Sequence, residues 1–180
     1  MKGLFRLGFI LMAICSVCAL GLALINRVTS PFIASQKIEE EMNALKEVLP
    51  QASEFKEVAM GDRTFQMGYY KGKLVGGAFK FSASGYSGPI EIVMGVSDDG
   101  RESGIKILTH SETPGLGARI TEPWFTWQFK GKMLDEIFLE KGRIDAIAGA
   151  TISSRGVTDA VRENLKSYLE IFPKLKEEVK

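Results

Sequence analysis

The stretch Asp145-Ala146-Ile147-Ala148-Gly149-Ala150-Thr151-Ile152-Ser153-Ser154 has residue types and spacing that could do chemistry. Gly149 and Ala150 leave the backbone uncovered around a tight turn. Thr151 then falls at an expected helix start, where N–H groups without intrahelical partners and the helix dipole favour an anion. A phosphate esterified to the Thr151 hydroxyl would sit at that positive end. Ser153 and Ser154 could cap the helix or bond phosphate oxygens, and the small neighbours leave the hydroxyl open to a modifying enzyme. A strand, a small-residue turn and a capped helix also occur together with no ligand, so these residues alone leave a purely structural turn open.

A second stretch, His110-Ser111-Glu112-Thr113-Pro114-Gly115-Leu116-Gly117, combines a proline and two glycines in a loop. Such a backbone can come close to a flat ring and offer it N–H and C=O groups. The alternative for His110 is a structural histidine in a turn.

Composition removes several other chemistries. His110 is the one histidine, so a multi-histidine metal site or bis-histidine haem within one chain is excluded. Cys15 and Cys18 have C-x-x-C spacing but lie in an apolar run, which argues against a redox or metal pair. With no cysteine elsewhere, the remainder can form neither a disulfide nor a thiolate-held iron–sulfur cluster. Lys plus Arg number 23 against 22 Asp plus Glu, a balance that gives no nucleic-acid signal. No acid–base dyad, nucleophilic triad or nicotinamide fingerprint appears, so redox work would require a bound cofactor.

The elements that must position these residues follow from patterning. Leu7–Asn26 is free of charge, and a helix of that length covers roughly 30 Å, the thickness of a bilayer core. Lys2 and Arg6 precede it, which favours a cytoplasmic N-terminus and an exported remainder. The run is longer than the apolar core of a usual signal peptide, so a retained anchor over 1–28 is expected rather than a cleaved leader. Thr29 or Ser30 is expected to cap a second, stalk helix over 29–50, with Pro31 in its first turn and Ile38, Met42, Leu45 and Leu49 at helical spacing.

Residues 51–180 are expected to form one extracytoplasmic domain. Candidate strands are Phe55–Met60, Thr64–Tyr70, Leu74–Phe81, Ile90–Val96 and Gly104–Leu108. Turn signals at Gly61-Asp62, Lys71-Gly72-Lys73, Ser84 to Pro89 and Asp98-Asp99-Gly100 favour antiparallel pairing. Short helices are expected over 123–129 and 133–140, and a short strand over Ile144–Ile147. A closing helix should run from about Ser153 to Leu169. Val157, Val161, Leu165, Tyr168 and Phe172 would form its apolar stripe, Arg162, Glu163, Lys166 and Glu170 would face out, and Pro173 would end it. The fold class is α+β: an N-terminal transmembrane helix, then an antiparallel β-rich domain closed by a C-terminal helix.

The Asp145–Thr151 stretch resembles the flavinylation motif of the FMN-binding domains in the Rnf electron-transport complex and the sodium-translocating NADH:quinone reductase. That motif runs acidic residue, two variable positions, Ser or Thr, Gly, Ala, Thr. This chain departs from it at Ala148, which removes one possible hydrogen bond and leaves Thr151 intact. His110–Gly117 resembles the H-x-E-T-P-G-L-G segment of the same family. Gly85-Tyr86-Ser87-Gly88-Pro89-Ile90 resembles its glycine-rich segment, and Trp124, Trp127 and Phe129-Lys130-Gly131-Lys132 resemble the stretch after the loop.

The resemblance implies one FMN per chain, joined covalently as a phosphoester to Thr151 by a flavin transferase that takes the FMN group from FAD. It places Asp145, Gly149, Ala150, Ser153 and Ser154 around the phosphate. His110, Glu112, Thr113, Pro114, Gly115, Leu116, Gly117, Tyr86, Trp124 and Lys130 are placed around the ring. It also implies an electron relay among other membrane subunits of a complex that couples ferredoxin and NAD to ion movement. The length of 180 residues fits the G subunit of the Rnf branch better than the longer C subunit of the reductase. Two alternatives remain open at this point: a relay in the reductase or another flavinylated chain, and a membrane-anchored sensory or scaffold domain without covalent flavin.

Overall fold

The computed structural model describes residues 2–61 and 63–178. The chain divides into two compact units, Met1–Glu40 and Glu41–Lys180. The first consists of most of α1, the helix Lys2–Val48, which is long and apolar enough to cross a membrane. Among the described residues of this unit the large apolar side chains, including Phe5, Leu11, Val17 and Leu24, are exposed, so no protein core accounts for their apolar character. The helix start expected at Thr29 or Ser30 is not formed. The helix runs unbroken through this region, with Pro31 inside it.

In the second unit the last turns of α1 meet a five-stranded antiparallel meander in the order β1-β2-β3-β4-β5. Its strands are Glu54–Met60, Arg63–Tyr70, Lys73–Ser84, Pro89–Ser97 and Glu102–His110, which take in the five candidate strands set apart by the turn signals. Of the Gly61-Asp62 turn, Asp62 lies outside the described residues. Neighbours in sequence are neighbours in the sheet because each connection is too short for a crossover.

The two faces of the sheet are covered differently. On one, Ala44, Leu45 and Val48 of α1 pack against Ala78 and Val93. The Ser103 hydroxyl donates to the Val48 carbonyl, which closes the helix end onto β5. The other face holds the main core. Phe65, Phe79, Ile92, Met94 and Ile107 pack there against Val157, Val161, Leu165, Tyr168 and Phe172 of the final helix. The Phe79 and Tyr168 rings are stacked, with centroids 5.4 Å apart and planes 13° from parallel.

Three elements between sheet and final helix differ from expectation. Of the helix over 123–129 only one turn forms, α2 (Pro123–Thr126), preceded by a 3-10 turn, Gly117–Thr121. Residues 133–140 make turns. The Met133 N–H is taken by the Glu136 carboxylate at 2.8 Å, and Gly131 and Gly142 bracket the segment at φ +79° and +85°, which opposes a continuous helix. Ile144–Ile147 contributes only an isolated bridge at Ile144. Side chains replace a strand partner there: Gln128 bonds both the N–H and the carbonyl of Asp145, and Ser154 Oγ accepts from the Ile147 N–H.

The final helix, α3, spans Thr151–Glu178. It starts two residues earlier than expected and continues past Pro173. Leu175, fully buried beyond the proline, ties the last turns to the core and offsets the missing backbone bond. Arg162, expected to face solvent, lies over the Phe138 ring at 4.3 Å.

Candidate functional site

The turn into α3 is held by hydrogen bonds that leave Thr151 free. The Ala150 N–H donates to the Ile147 carbonyl at 2.9 Å, and the Ser154 N–H and hydroxyl both donate to the Ala150 carbonyl, at 3.0 and 2.9 Å. Gly149 has φ +78°, a conformation that glycine adopts without strain. Thr151 is the first helical residue and is exposed. Its hydroxyl has no hydrogen-bond partner among the described residues. Ser154 is buried in this network, so it fixes the turn and does not face a ligand.

A single buried carboxylate ties this turn to the two other loops. Glu112, only 4% exposed, accepts from the Ser87 N–H at 3.0 Å and from the Ser153 hydroxyl at 2.5 Å. The loop of the β3–β4 hairpin, the loop after β5 and the first turn of α3 therefore meet at Glu112. Two glycines permit the meeting. A Cβ on Gly117 would run into the Glu112 carboxylate and lie 3.0 Å from Ser153 Oγ. A Cβ on Gly156 would run into the Ser84 carbonyl, so only glycine lets α3 lie against the end of β3.

Between the three loops lies a cleft of about 470 Å³, lined by Tyr86, Glu112, Thr113, Leu116, Gly117, Gly149, Ala150, Thr151, Ile152 and Ser153. Its volume is in the range of small-molecule sites. Tyr86 at 70%, Ile152 at 58% and Leu116 at 48% exposure give it an open apolar rim. Nine of these ten residues were expected at a ligand site from the sequence. Ile152 was not singled out, although its place between Thr151 and Ser153 at the expected helix start carried a signal.

Several expected residues stand elsewhere. His110 is half-buried, and its Nδ1 accepts from the Glu112 N–H at 3.2 Å, so it shapes the loop from behind. Pro114 and Gly115 form the outer turn of that loop, with Gly115 at φ +76°, and neither lines the cleft. Asp145 is exposed and its carboxylate accepts only from the Gly142 N–H, at 3.4 Å. The Trp124 indole N–H donates to Glu122 while its ring lies under Arg119 at 5.6 Å. Lys130 is exposed and does not line the cleft, and its charge acts on Glu102.

An antiparallel meander closed by a helix, with a cleft at the helix start, is the frame that comparison with known proteins assigns to a class. The family model described as the FMN-binding domain matches residues 85–166, the segment holding all three loops. A second, described as the RnfG N-terminal region, matches residues 2–48. The G subunit of the Na⁺-translocating ferredoxin:NAD⁺ oxidoreductase complex of Acetobacterium woodii is 35% identical, over 93% of this chain and 92% of its own length. The G subunit of the ion-translocating oxidoreductase complex of Methanosarcina acetivorans is 38% identical, over 84% of this chain and 87% of its own. This chain belongs to the RnfG family, the G subunits of the Rnf ion-translocating oxidoreductase complexes.

Two solved structures share the fold. NqrC of Shewanella oneidensis aligns with a TM-score of 0.56 at 23% identity, covering 72% of this chain and 74% of that one. The C subunit of the Na⁺-translocating NADH-quinone reductase of Parabacteroides distasonis aligns with a TM-score of 0.57 at 20% identity, covering 76% and 94%.

Proposed function

We propose that this chain is the electron-relaying G subunit of a membrane-bound ferredoxin:NAD oxidoreductase that moves ions, and that its FMN is joined through a phosphoester to the Thr151 hydroxyl. The observation that carries the reading is the place of that hydroxyl: exposed, without a protein partner among the described residues, at the first turn of a 28-residue helix and on the wall of the cleft. The residues present suit FMN. First-turn N–H groups suit a phosphate, and the uncovered rim of Tyr86, Leu116 and Ile152 suits a flat aromatic ring. Thr113 and Gly117, also on the wall, would offer polar groups to its edge.

Bound flavin supplies electron transfer in single steps, which no side chain here can provide. The chain's own residues hold it, orient it and limit water around it. Ser153 and Ser87 are fixed by Glu112, so the loops forming the cleft are set as one unit. A covalent tether keeps the cofactor from diffusing away. The chain has no acid–base machinery to add, so it works as one redox station of the complex and exchanges electrons with the other membrane subunits.

On this reading 1–28 is the lipid-embedded anchor, 29–50 the stalk and 51–180 the extracytoplasmic domain, with the N-terminus cytoplasmic. A flavin transferase loads one FMN per chain during maturation. The test is the intact mass and in-gel flavin fluorescence of membrane-purified protein. The parent should carry an FMN-sized adduct that survives denaturation, and Thr151→Ala should be folded and membrane-bound without it. Covalent flavin retained in Thr151→Ala would overturn the assignment.

A further inference from the structure

Thr151 and Ile152 line two clefts. The second, of about 580 Å³, is bounded by Ser84, Gly85, Thr151, Ile152, Arg155, Gly156 and Asp159. The first holds one charged residue, the buried Glu112, which is already taken up by Ser87 and Ser153. Arg155 is the one cation lining either cleft. It is exposed and forms no ion pair among the described residues. It stands four residues after Thr151 on α3, on the same helix face. An unpaired guanidinium one turn from the acceptor hydroxyl and opening on the same cleft has a clear chemical use.

We propose that Arg155 binds the phosphodiester on Thr151, with the free phosphate oxygens turned into the second cleft while the rest of the FMN group occupies the first. The proposal rests on the reading of Thr151 as the FMN acceptor. A phosphodiester keeps one negative charge, and a guanidinium meets two of its oxygens in one plane. Glu112 behind the first cleft would repel that charge, which favours turning the oxygens away from it. Asp159, one further turn along α3, also lines the second cleft and would weaken the attraction. The division gives each of the two clefts that Thr151 lines a use: one takes the apolar ring, the other the charge.

The test uses full-length protein carrying its adduct, compared with the Thr151→Ala background, which lacks it. Three variants are made: Arg155→Gln, Arg155→Lys and Asp159→Asn. The phosphorus-31 resonance of the adduct and the thermal midpoint are the readouts. Loss of Arg155 should shift the phosphorus resonance and narrow the midpoint gap between loaded and unloaded protein by about 2–4 °C. Arg155→Lys should restore part of both, and Asp159→Asn should widen the gap. In the Thr151→Ala background Arg155→Gln should leave the midpoint unchanged, which a merely structural arginine would not do. Parent-like phosphorus resonance and gap in Arg155→Gln overturn the proposal. Absence of the adduct from both Arg155→Gln and Arg155→Lys also overturns it, because recognition by the modifying enzyme is then the role. If the parent itself has no adduct, or Thr151→Ala keeps one, the underlying reading fails instead, and the mass shows this separately.

Discussion

Glu112 concentrates more of the site than any residue that would touch the flavin covalently. Its two oxygens satisfy a backbone amide in one loop and a hydroxyl in a helix, and its burial makes both bonds costly to lose. Glu112→Ala strands the Ser87 N–H and the Ser153 hydroxyl together, for an expected loss of about 2–4 kcal/mol. Glu112→Gln keeps the shape and one acceptor, and the Ser153 hydroxyl can turn to accept instead, so the loss should be about 1 kcal/mol. Thermal unfolding of both variants checks the order, and flavin absorbance should follow it. Equal midpoints for Glu112→Ala and parent would remove Glu112 as the link between loops. Its importance was legible only in part. The motif around Thr151 and the Pro/Gly loop named residues that line one cleft, because small residues and a hydroxyl at a helix start are local signals. That Glu112 faces Ser153 across 41 positions, while His110 and Asp145 point elsewhere, depends on tertiary packing that no local pattern contains.

At the scale of elements, the turn signals between β-rich runs located all five strands, since such turns are made by only certain residues. The segments from 117 to 150 were harder to read. Their backbone groups are satisfied by side chains such as Gln128 and Glu136, which substitute for a ladder or a helix without a periodic signature. The prolines misled for a related reason. Both Pro31 and Pro173 lie inside helices, and at Pro173 the packing of the buried Leu175 outweighs one lost bond. The apolar α1 carries a prediction of its own. Lys2 and Arg6 precede the uncharged Leu7–Asn26 run, so the proposed orientation puts the flavin domain outside the cytoplasm. A phosphatase reporter that works only outside the cytoplasm, fused after Lys180, should be active, and a reporter restricted to the cytoplasm should be silent. The reverse pattern would invert the proposed topology.

Across the whole domain, stability should depend on pH through a group far along β5 from the flavin loops. Glu102 opens that strand and is fully buried. Its backbone is well placed, with the N–H donating to the Lys132 carbonyl at 2.9 Å and the carbonyl accepting from the Gly131 N–H at 2.7 Å. Neither carboxylate oxygen makes a well-formed hydrogen bond. Burial raises its pKa from 4.5 to about 8, and the Gly104 amide and the Lys130 charge counter this only in part. A carboxyl with a raised folded-state pKa binds its proton more tightly folded than unfolded. Its contribution is therefore complete below about pH 4.5 and is lost progressively as pH rises to about 8. The full change is of order 5 kcal/mol, reduced by whatever water reaches the opened site. Glu102→Gln replaces the acid with a neutral group of the same shape. It should match the parent near pH 5, exceed it in thermal midpoint near pH 8, and flatten the slope between. The flavin adduct should be unaffected, because Glu102 and the Thr151 turn share no contact. A parent midpoint that rises from pH 5 to pH 8, with the same rise in Glu102→Gln, would show that this carboxyl is ionised and compensated in the folded domain.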